Sequence, residues 1–189
     1  MMKPIMIDFP DEFHTERLVI RMAKPGDGKV VFEAVNASIN ELKPWLRLFA
    51  QNEHTEYDME LIIREAHVKF LTRESLRFLV FLKETGQFVA TSSLHNIDWE
   101  VRKFEIGYWI DTRCNNNGYM TEAVKGICDF AFSQLNARRL EIRCDTKNTR
   151  SKLIPERLRF ELEGTIRSED LSADGSEWRD TFIFAKIKR

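Results

Sequence analysis

The chain opens with a hydrophobic pattern that predicts a strand followed by helices. Residues 17–22, Arg-Leu-Val-Ile-Arg-Met, alternate polar and apolar side chains and include β-branched members, which is typical of a β-strand. The sequence Pro-Gly-Asp-Gly at 25–28 ends this pattern. Apolar residues then recur every three or four positions, which predicts helices with one buried face. Three helices are expected, at residues 29–39, 42–49 and 57–73.

Beyond residue 75 the period changes to that of strands. Residues 78–82 and 88–90 are predicted strands, and Glu-Thr-Gly-Gln at 84–87 joins them into a hairpin. Residues 104–110 are apolar on both faces, as expected of a central strand. The remaining pattern predicts a helix at 119–135, a strand at 139–144, a short helix at 152–158, a strand from Phe160, a turn at 174–175 and a strand at 178–187.

This order of elements predicts one α/β domain around a mixed sheet. A chain of 189 residues with 43% hydrophobic content can bury one substantial core but is short for two. No linker, repeat or low-complexity segment interrupts it. We therefore expect residues 1–189 to form a single domain.

The charge balance of the chain argues against some classes of function. Lys and Arg number 29 against 30 Asp and Glu, which leaves a formal net charge of −1. A protein that binds nucleic acid in bulk needs a basic excess to displace counterions, so no nucleic-acid partner is expected. No stretch is long enough to cross a bilayer, and the first ten residues do not have the pattern of a targeting segment. A soluble cytoplasmic protein without a membrane partner is expected.

Cysteine and histidine spacing gives no metal site. The three cysteines lack the close pairing of a zinc or redox motif, so free thiols in a reducing compartment are expected. The four histidines are scattered without the spacing of metal ligands, so surface or satisfied polar positions are expected for them. These residues are Cys114, Cys128, Cys144, His14, His54, His67 and His95.

The segment between the central strand and the next helix carries candidate chemistry. A polar run, Asn115 to Asn117, leads through Gly118 into the helix that begins at Tyr119. The N-terminus of a helix presents unpaired N–H groups and partial positive charge, so this loop can bind a pyrophosphate without lysine. By itself the run is more often an ordinary polar turn, and the flanking strand and helix are what favour a phosphate loop.

Several segments together resemble a known family. They are Thr-Glu-Arg-Leu-Val-Ile-Arg at 15–21, Glu-Ile-Gly-Tyr-Trp-Ile-Asp at 105–111, Gly-Tyr-Met-Thr-Glu-Ala at 118–123, and Asn-Thr-Arg-Ser at 148–151 with Ile-Pro-Glu-Arg-Leu at 154–158. In order and spacing they resemble the ribosomal-protein N-terminal acetyltransferase group (Rim-type) of the GNAT superfamily. The resemblance implies a GNAT-like α/β sandwich, with a mixed, mostly antiparallel seven-stranded sheet and helices on both faces.

Two departures from the family pattern concern the loop and the short helix. The family loop is usually Gln/Arg-x-x-Gly-x-Gly/Ala, whereas here Asn115 and Met120 stand at its ends and Asn116 replaces a glycine. Asparagine tolerates left-handed backbone angles better than most residues, which lets the loop keep its shape. Arg159 stands where the family usually has glycine before Phe160, at a position that favours a left-handed cap.

The resemblance also implies a cosubstrate and its contacts. Acetyl-coenzyme A would transfer its acetyl group directly to an amine in a ternary complex, without a metal. In such folds the strand at 104–110 diverges from the strand at 139–144, so its backbone can pair with the pantetheine arm. The expected cofactor-binding residues are Trp109, Ile110, Asn115, Asn116, Asn117, Gly118, Tyr119, Met120, Thr121 and Asn148.

Glu105 and Ser151 are the candidate catalytic residues. Glu105 is a lone carboxylate in an apolar strand, and it is the candidate base that also contacts the acceptor. The alternative is that Glu105 is only a charge at the edge of the strand, paired with Lys103 or Arg143. Ser151 is the candidate proton donor to the departing thiolate, although a helix N-cap is an ordinary role for serine. Trp45 either lines the acceptor cleft or belongs to the core.

Three functions remain open from the sequence. The first is acetylation of a protein N-terminal α-amine, as in the ribosomal-protein group. The second is acetylation of a small amine such as a polyamine, an aminoglycoside or an amino-acid derivative. The third is a catalytically silent coenzyme A-binding regulatory module. The protein is expected to act as a monomer or a homodimer.

Overall fold

The computed structural model describes residues 3–50 and 53–188. In that part of the chain, eight strands form one sheet in the order β1-β2-β3-β4-β5-β6-β8-β7. All neighbours are antiparallel except β5 and β6, which are parallel. The strands are β1 (Glu12–His14), β2 (Leu18–Met22), β3 (Leu76–Leu82), β4 (Phe88–Asp98), β5 (Lys103–Ile110), β6 (Arg139–Asp145), β7 (Glu161–Leu171) and β8 (Trp178–Ile187).

Helices cover both faces of the sheet and create two apolar clusters. Because strand residues alternate in direction, Phe78 faces one cluster with α4 and α5 while Leu79 faces the other with α1 and α3. The helices are α1 (Gly28–Leu42), α2 (Arg47–Ala50), α3 (Glu56–Thr72), α4 (Tyr119–Ser133) and α5 (Thr149–Arg157). The predicted α/β sandwich around a mixed, mostly antiparallel sheet is confirmed. None of the helices in the described ranges is long and apolar enough to cross a membrane.

The prediction of seven strands is wrong, because β1 adds an eighth. This strand has only three residues and pairs antiparallel with β2, so it is too short to show an alternating pattern. This strand is stabilised by packing against residues that are distant in the sequence. The ring of Phe13 stacks on that of Phe130 in α4, with centroids 4.7 Å apart.

Among the element boundaries that differ from the prediction, three have an informative cause or extent. The second helix is only α2, because residues 43–45 form a turn after α1 and the chain becomes helical again only at Arg47. Strand β4 extends eight residues beyond Ala90, to Asp98, through polar residues that do not look strand-like. Helix α5 begins at Thr149, before the predicted start, because the Asn148 side chain accepts a hydrogen bond from the Ser151 amide at 3.0 Å.

Candidate active site

A gap between two central strands defines the site. Strands β5 and β6 pair only from Lys103 with Arg139 to Glu105 with Glu141. Residues 106–110 of β5 stay paired with β4 but have no partner on β6. The divergence that the resemblance implied is therefore confirmed, and it leaves the backbone groups beside Trp109 free on one side.

The loop after β5 is organised by its own side chains. The buried carboxylate of Asp111 accepts hydrogen bonds from the Arg113 backbone N–H and guanidinium at 2.5–3.0 Å. The Asn115 amide donates to Thr112 Oγ1 at 3.0 Å, and the Asn117 amide donates to the Asn115 carbonyl at 3.0 Å. The asparagine amides are thus used within the loop and hold its shape.

The start of α4 is left open by this loop. Asn116 and Gly118 have left-handed backbones, with φ of 64° and 77°, which turns the chain into the helix. No side chain caps the helix N-terminus at Gly118. The amides of residues 119–121 have no carbonyl partner within the helix, so they can donate to an anion. Cofactor binding by Tyr119, Met120 and Thr121 stays a prediction.

An ion pair braces this helix end against the β1–β2 connection. The Glu122 carboxylate accepts hydrogen bonds from the Thr15 hydroxyl at 2.6 Å and from the Arg17 amide and Nε at 2.8 and 2.7 Å. Arg17 also donates to the Asn117 carbonyl at 3.1 Å and lies over the Tyr119 ring, 4.5 Å from its centroid. The sequence motif contains both residues, but their contact was not predicted because 105 positions separate them.

The hydrogen bonds to Glu122 also change its pKa. Partial burial alone would raise the pKa, but the hydrogen bonds from Thr15 and Arg17 outweigh it and hold the pKa below its ordinary value. The carboxylate is therefore ionised at neutral pH, and its stabilising effect depends on that charge.

Replacing Glu122 with Gln is expected to lower the free energy of unfolding by about 1–2 kcal/mol at neutral pH, because charge-assisted hydrogen bonds are lost. It should also weaken coenzyme A binding several-fold. Since the folded-state pKa is lowered, the stabilisation is present above about pH 4.3 and disappears as the pH falls through the folded value. Urea unfolding of both proteins at neutral and acid pH measures this. A difference that stays constant down to about pH 3 would contradict the ionic role.

Glu105 lies on the face of the sheet that carries α1 and α3. Its side chain is 15% exposed, its Oε1 lies 3.3 Å from His95 Nε2, and its Oε2 accepts from the Asn96 amide at 2.9 Å. Burial acts to raise the pKa of Glu105, but the His95 and Asn96 hydrogen bonds and the nearby Arg143 charge hold it below its ordinary value. Glu105 is thus an ionised carboxylate, and its direct partners are His95 and Asn96 rather than Lys103 or Arg143.

His95 belongs to a hydrogen-bonded row that the sequence did not reveal. Its Nδ1 lies 3.2 Å from Ser93 Oγ, and its other nitrogen faces Glu105. Gly107 makes room for the imidazole, since a Cβ there would lie 2.8 Å from His95 Cε1. In the sequence His95 is one of four scattered histidines, and nothing in its spacing connects it with Glu105. The two residues lie side by side because β4 pairs with β5.

A second carboxylate lies close to the same face. Glu169 of β7 forms an ion pair with Arg143 of β6, and the Arg143 charge also acts on Glu105. The strand β7 is irregular between Ile166 and Asp170, next to this pair. Sequence patterning gives no signal for Glu169, because its contact with Arg143 depends on how the strands of the sheet are placed beside one another.

Ser151 and Tyr108 meet on the other face of β5. The Ser151 hydroxyl donates to Tyr108 Oη at 3.3 Å, and the Tyr108 hydroxyl donates to the Ser151 carbonyl at 2.9 Å. Burial raises the pKa of Tyr108, so the phenol keeps its proton. The N-cap of α5 is Asn148, so the alternative that Ser151 is the cap is wrong. Tyr108 is an additional proton-bearing group that the sequence analysis did not single out.

A cavity of about 280 Å³ opens on the Glu105 face. Trp45 lines it with 36% of its surface exposed, beneath the Arg179 guanidinium at 5.2 Å from its ring centroid. Phe49 is 5% exposed and packs edge-on against Trp109 at 6.3 Å. Both side chains line the cavity, Trp45 at the surface and Phe49 as part of the core.

A larger groove of about 740 Å³ runs along the whole length of α4. It begins at Gly118 and Thr121 and passes Lys125 towards Arg157. Lys125 is paired with Asp129 at 2.8 Å, and Glu16 and Glu122 also line this groove. Only its end at Gly118 therefore suits a phosphorylated ligand, through the open amides of the helix. Within residues 3–50 and 53–188, no group of three or more His, Cys, Asp or Glu residues could hold a metal ion.

Comparison with known proteins assigns the class. The model of the acetyltransferase (GNAT) domain matches residues 17–161, and the chain belongs to this family of acyltransferase enzymes. The "Putative ribosomal N-acetyltransferase YdaF" of Bacillus subtilis (strain 168) is 30% identical over 175 residues, which covers 92% of this chain and 93% of that protein.

Solved structures agree on the fold. A crystal structure described as "Probable acetyltransferase" matches with a TM-score of 0.84 at 27% identity, over 94% of this chain and 97% of that one. RimL, a ribosomal L7/L12 alpha-N-protein acetyltransferase solved in complex with coenzyme A, matches with a TM-score of 0.84 at 18% identity, over 92% and 95% of the two chains.

Proposed function

We propose that the protein transfers the acetyl group of acetyl-coenzyme A to the α-amine of a protein N-terminus, with ribosomal proteins as the first acceptors to test. The observation that carries this proposal is the gap between β5 and β6. It has an ionised carboxylate, Glu105, on one face and a protonated hydroxyl pair, Ser151 and Tyr108, on the other. The names of YdaF and RimL support the choice of acceptor.

Cofactor binding uses the loop and the gap. The pyrophosphate binds the open amides of residues 119–121, where the helix dipole favours negative charge. The pantetheine arm then lies along the free edge of β5 at Trp109 and Ile110. The Asn148 oxygen is occupied by its cap to Ser151, which leaves the Asn148 amide nitrogen to contact the arm.

Transfer needs one proton removed from the amine and one supplied to sulfur. Glu105 accepts the amine proton through a water as the nitrogen attacks the thioester carbonyl. The C–S bond then breaks, and the thiolate takes a proton either from the Ser151 hydroxyl or from the Tyr108 phenol, whose oxygens lie 3.3 Å apart. Because an α-amine has a pKa of about 7.7–8.0, part of it is already neutral at pH 7, so a weakly basic carboxylate suffices.

A small amine is the second candidate acceptor, and the size of the cavity favours it. A volume of about 280 Å³ lies at the lower end of ligand pockets. It admits a small molecule or the first residue or two of a peptide.

An acceptor panel tests these functions. The protein and acetyl-coenzyme A are mixed with N-terminal peptides of ribosomal proteins, the same peptides blocked at the α-amine, and small amines, and thiol release is followed. We expect turnover with free peptides and none with blocked ones. Turnover restricted to small amines would replace the first candidate with the second. Calorimetric binding of coenzyme A without turnover on any amine would make the chain a silent binding module.

A further inference from the structure

The cavity on the Glu105 face contains a cationic side chain that the mechanism does not use. Arg77 of β3 lies opposite Ser93 of β4, and Ser93 lies opposite Gly107 of β5. The three positions form a row across the sheet on the Glu105 face, and all three line the cavity with Trp45. Arg77 is thus built into the wall that an acceptor would meet.

The charge of Arg77 has no counterion among the residues that the structure describes. It is partly buried, yet it forms no ion pair and no side-chain hydrogen bond with residues 3–50 or 53–188. Other partly buried arginines are paired: Arg21 with Asp27 at 2.7 Å and Arg139 with Glu141 at 2.6 Å. Withdrawing an unpaired cation from water costs free energy. That cost is recovered when an anion enters the cavity.

The position of Arg77 limits how far the anion lies from the amine. Neighbouring strands are about 4.8 Å apart, so Arg77 and Gly107, two strands away, lie about 10 Å apart at the backbone. Glu105 is two residues from Gly107 on β5. An extended peptide advances about 3.3 Å per residue, so its amine can be at Glu105 while a side chain of its second or third residue reaches Arg77.

We propose that Arg77 binds a carboxylate of the acceptor, so that the preferred substrate is an amine carrying an acidic group. The carboxylate comes either from an Asp or Glu side chain at the second or third position of a peptide or from a small amino acid. A guanidinium suits this role because it pairs with a carboxylate through two parallel hydrogen bonds. The inference rests on the proposed function, since it assumes that the cavity receives the acceptor.

Matched acceptors test the proposal. Peptides with Asp or Glu at the second or third position are compared with otherwise identical Asn or Gln peptides, and free amino acids are compared with their carboxamides. We expect the acidic member to have kcat/KM about tenfold or more higher, as one charge-assisted hydrogen bond provides. If the preference is found among the peptides, the carboxylate is a side chain of the peptide. If it is found among the amino acids, the carboxylate is that of the small amino acid.

Variants of Arg77 test whether this side chain causes the preference for acidic acceptors. Arg77→Gln should abolish the preference by lowering kcat/KM for the acidic acceptor, and Arg77→Lys should keep part of it. Arg138→Gln is the charge-matched control, because Arg138 is exposed directly before β6 and does not line the cavity. It should keep the full preference. Equal rates for acidic and neutral acceptors, or a preference that survives in Arg77→Gln, would overturn the proposal.

Binding measurements separate this inference from the proposed function. Calorimetry follows the same peptides binding to the protein loaded with coenzyme A. If no amine is acetylated but acidic peptides bind more tightly than neutral ones, the anion site stands and the proposed function fails. If peptides are acetylated without regard to acidity, the proposed function stands and the inference fails. Should Arg77→Gln not fold, the wild-type preference and Arg77→Lys decide.

Discussion

Replacing Glu105 with Gln is expected to lower kcat for acetyl transfer by about 10²–10⁴-fold, the range for loss of a general base. Glutamine keeps the shape of the side chain and its hydrogen bond to Asn96, but it cannot accept the proton of the amine. Coenzyme A affinity should change little, because the cofactor contacts that we propose lie at α4 and along β5. Steady-state kinetics and calorimetry on the same preparation measure both quantities.

The pH dependence of this loss provides a further check. As the pH rises past about 7.7–8.0, more of the α-amine is already neutral and the base is needed less. The ratio of wild-type to variant rates should therefore decrease between pH 7 and pH 9. A ratio that does not change with pH would indicate that Glu105 binds the acceptor without moving its proton.

Glu169→Gln is the matched control for the base assignment. Glu169 is a carboxylate on the same side of the site, but it is engaged in its ion pair with Arg143. We expect its replacement to reduce activity less than that of Glu105. A larger loss in Glu169→Gln would transfer the role of base to Glu169, and full activity in Glu105→Gln would remove Glu105 from the mechanism.

Replacing Gly107 with Ala is expected to reduce kcat/KM by about tenfold to 10²-fold and the free energy of unfolding by about 1–3 kcal/mol. The new Cβ would lie 2.8 Å from His95 Cε1 and 3.3 Å from Ser93 Oγ. The imidazole must therefore move, and its contact with Glu105 is lost. Activity and urea unfolding, measured on one preparation, report the two effects.

Two further variants separate steric displacement from a general effect of alanine. In Gly107→Ala combined with His95→Ala, the crowding is relieved, so stability should recover relative to the single Gly107 variant while activity stays low. Gly164→Ala is the control, because its Cβ would meet nothing within 4 Å and its backbone is not left-handed. Normal activity in Gly107→Ala would show that the His95 contact does not contribute to the reaction.

The sequence by itself determined most helices and strands and the position of the loop that we propose binds the cofactor. Helix α4 was expected over 119–135 and forms from Tyr119 to Ser133, because its apolar residues recur at the helical period over four turns. Strand β5 and the loop that follows were also predicted in place. The period of apolar residues predicts these elements correctly because each pattern is long and lies within one helix or strand.

The tertiary structure alone decided which side chains meet. The contacts of Arg17 with Glu122 and of His95 with Glu105, and the row from Arg77 to Gly107, depend on how strands and helices are placed beside one another. A local pattern reports which face of a strand is buried but not which residue lies opposite, and a shift of register by one residue would exchange the two faces. Register is set by packing of the whole sheet, and so the partners of Glu105 follow from the fold.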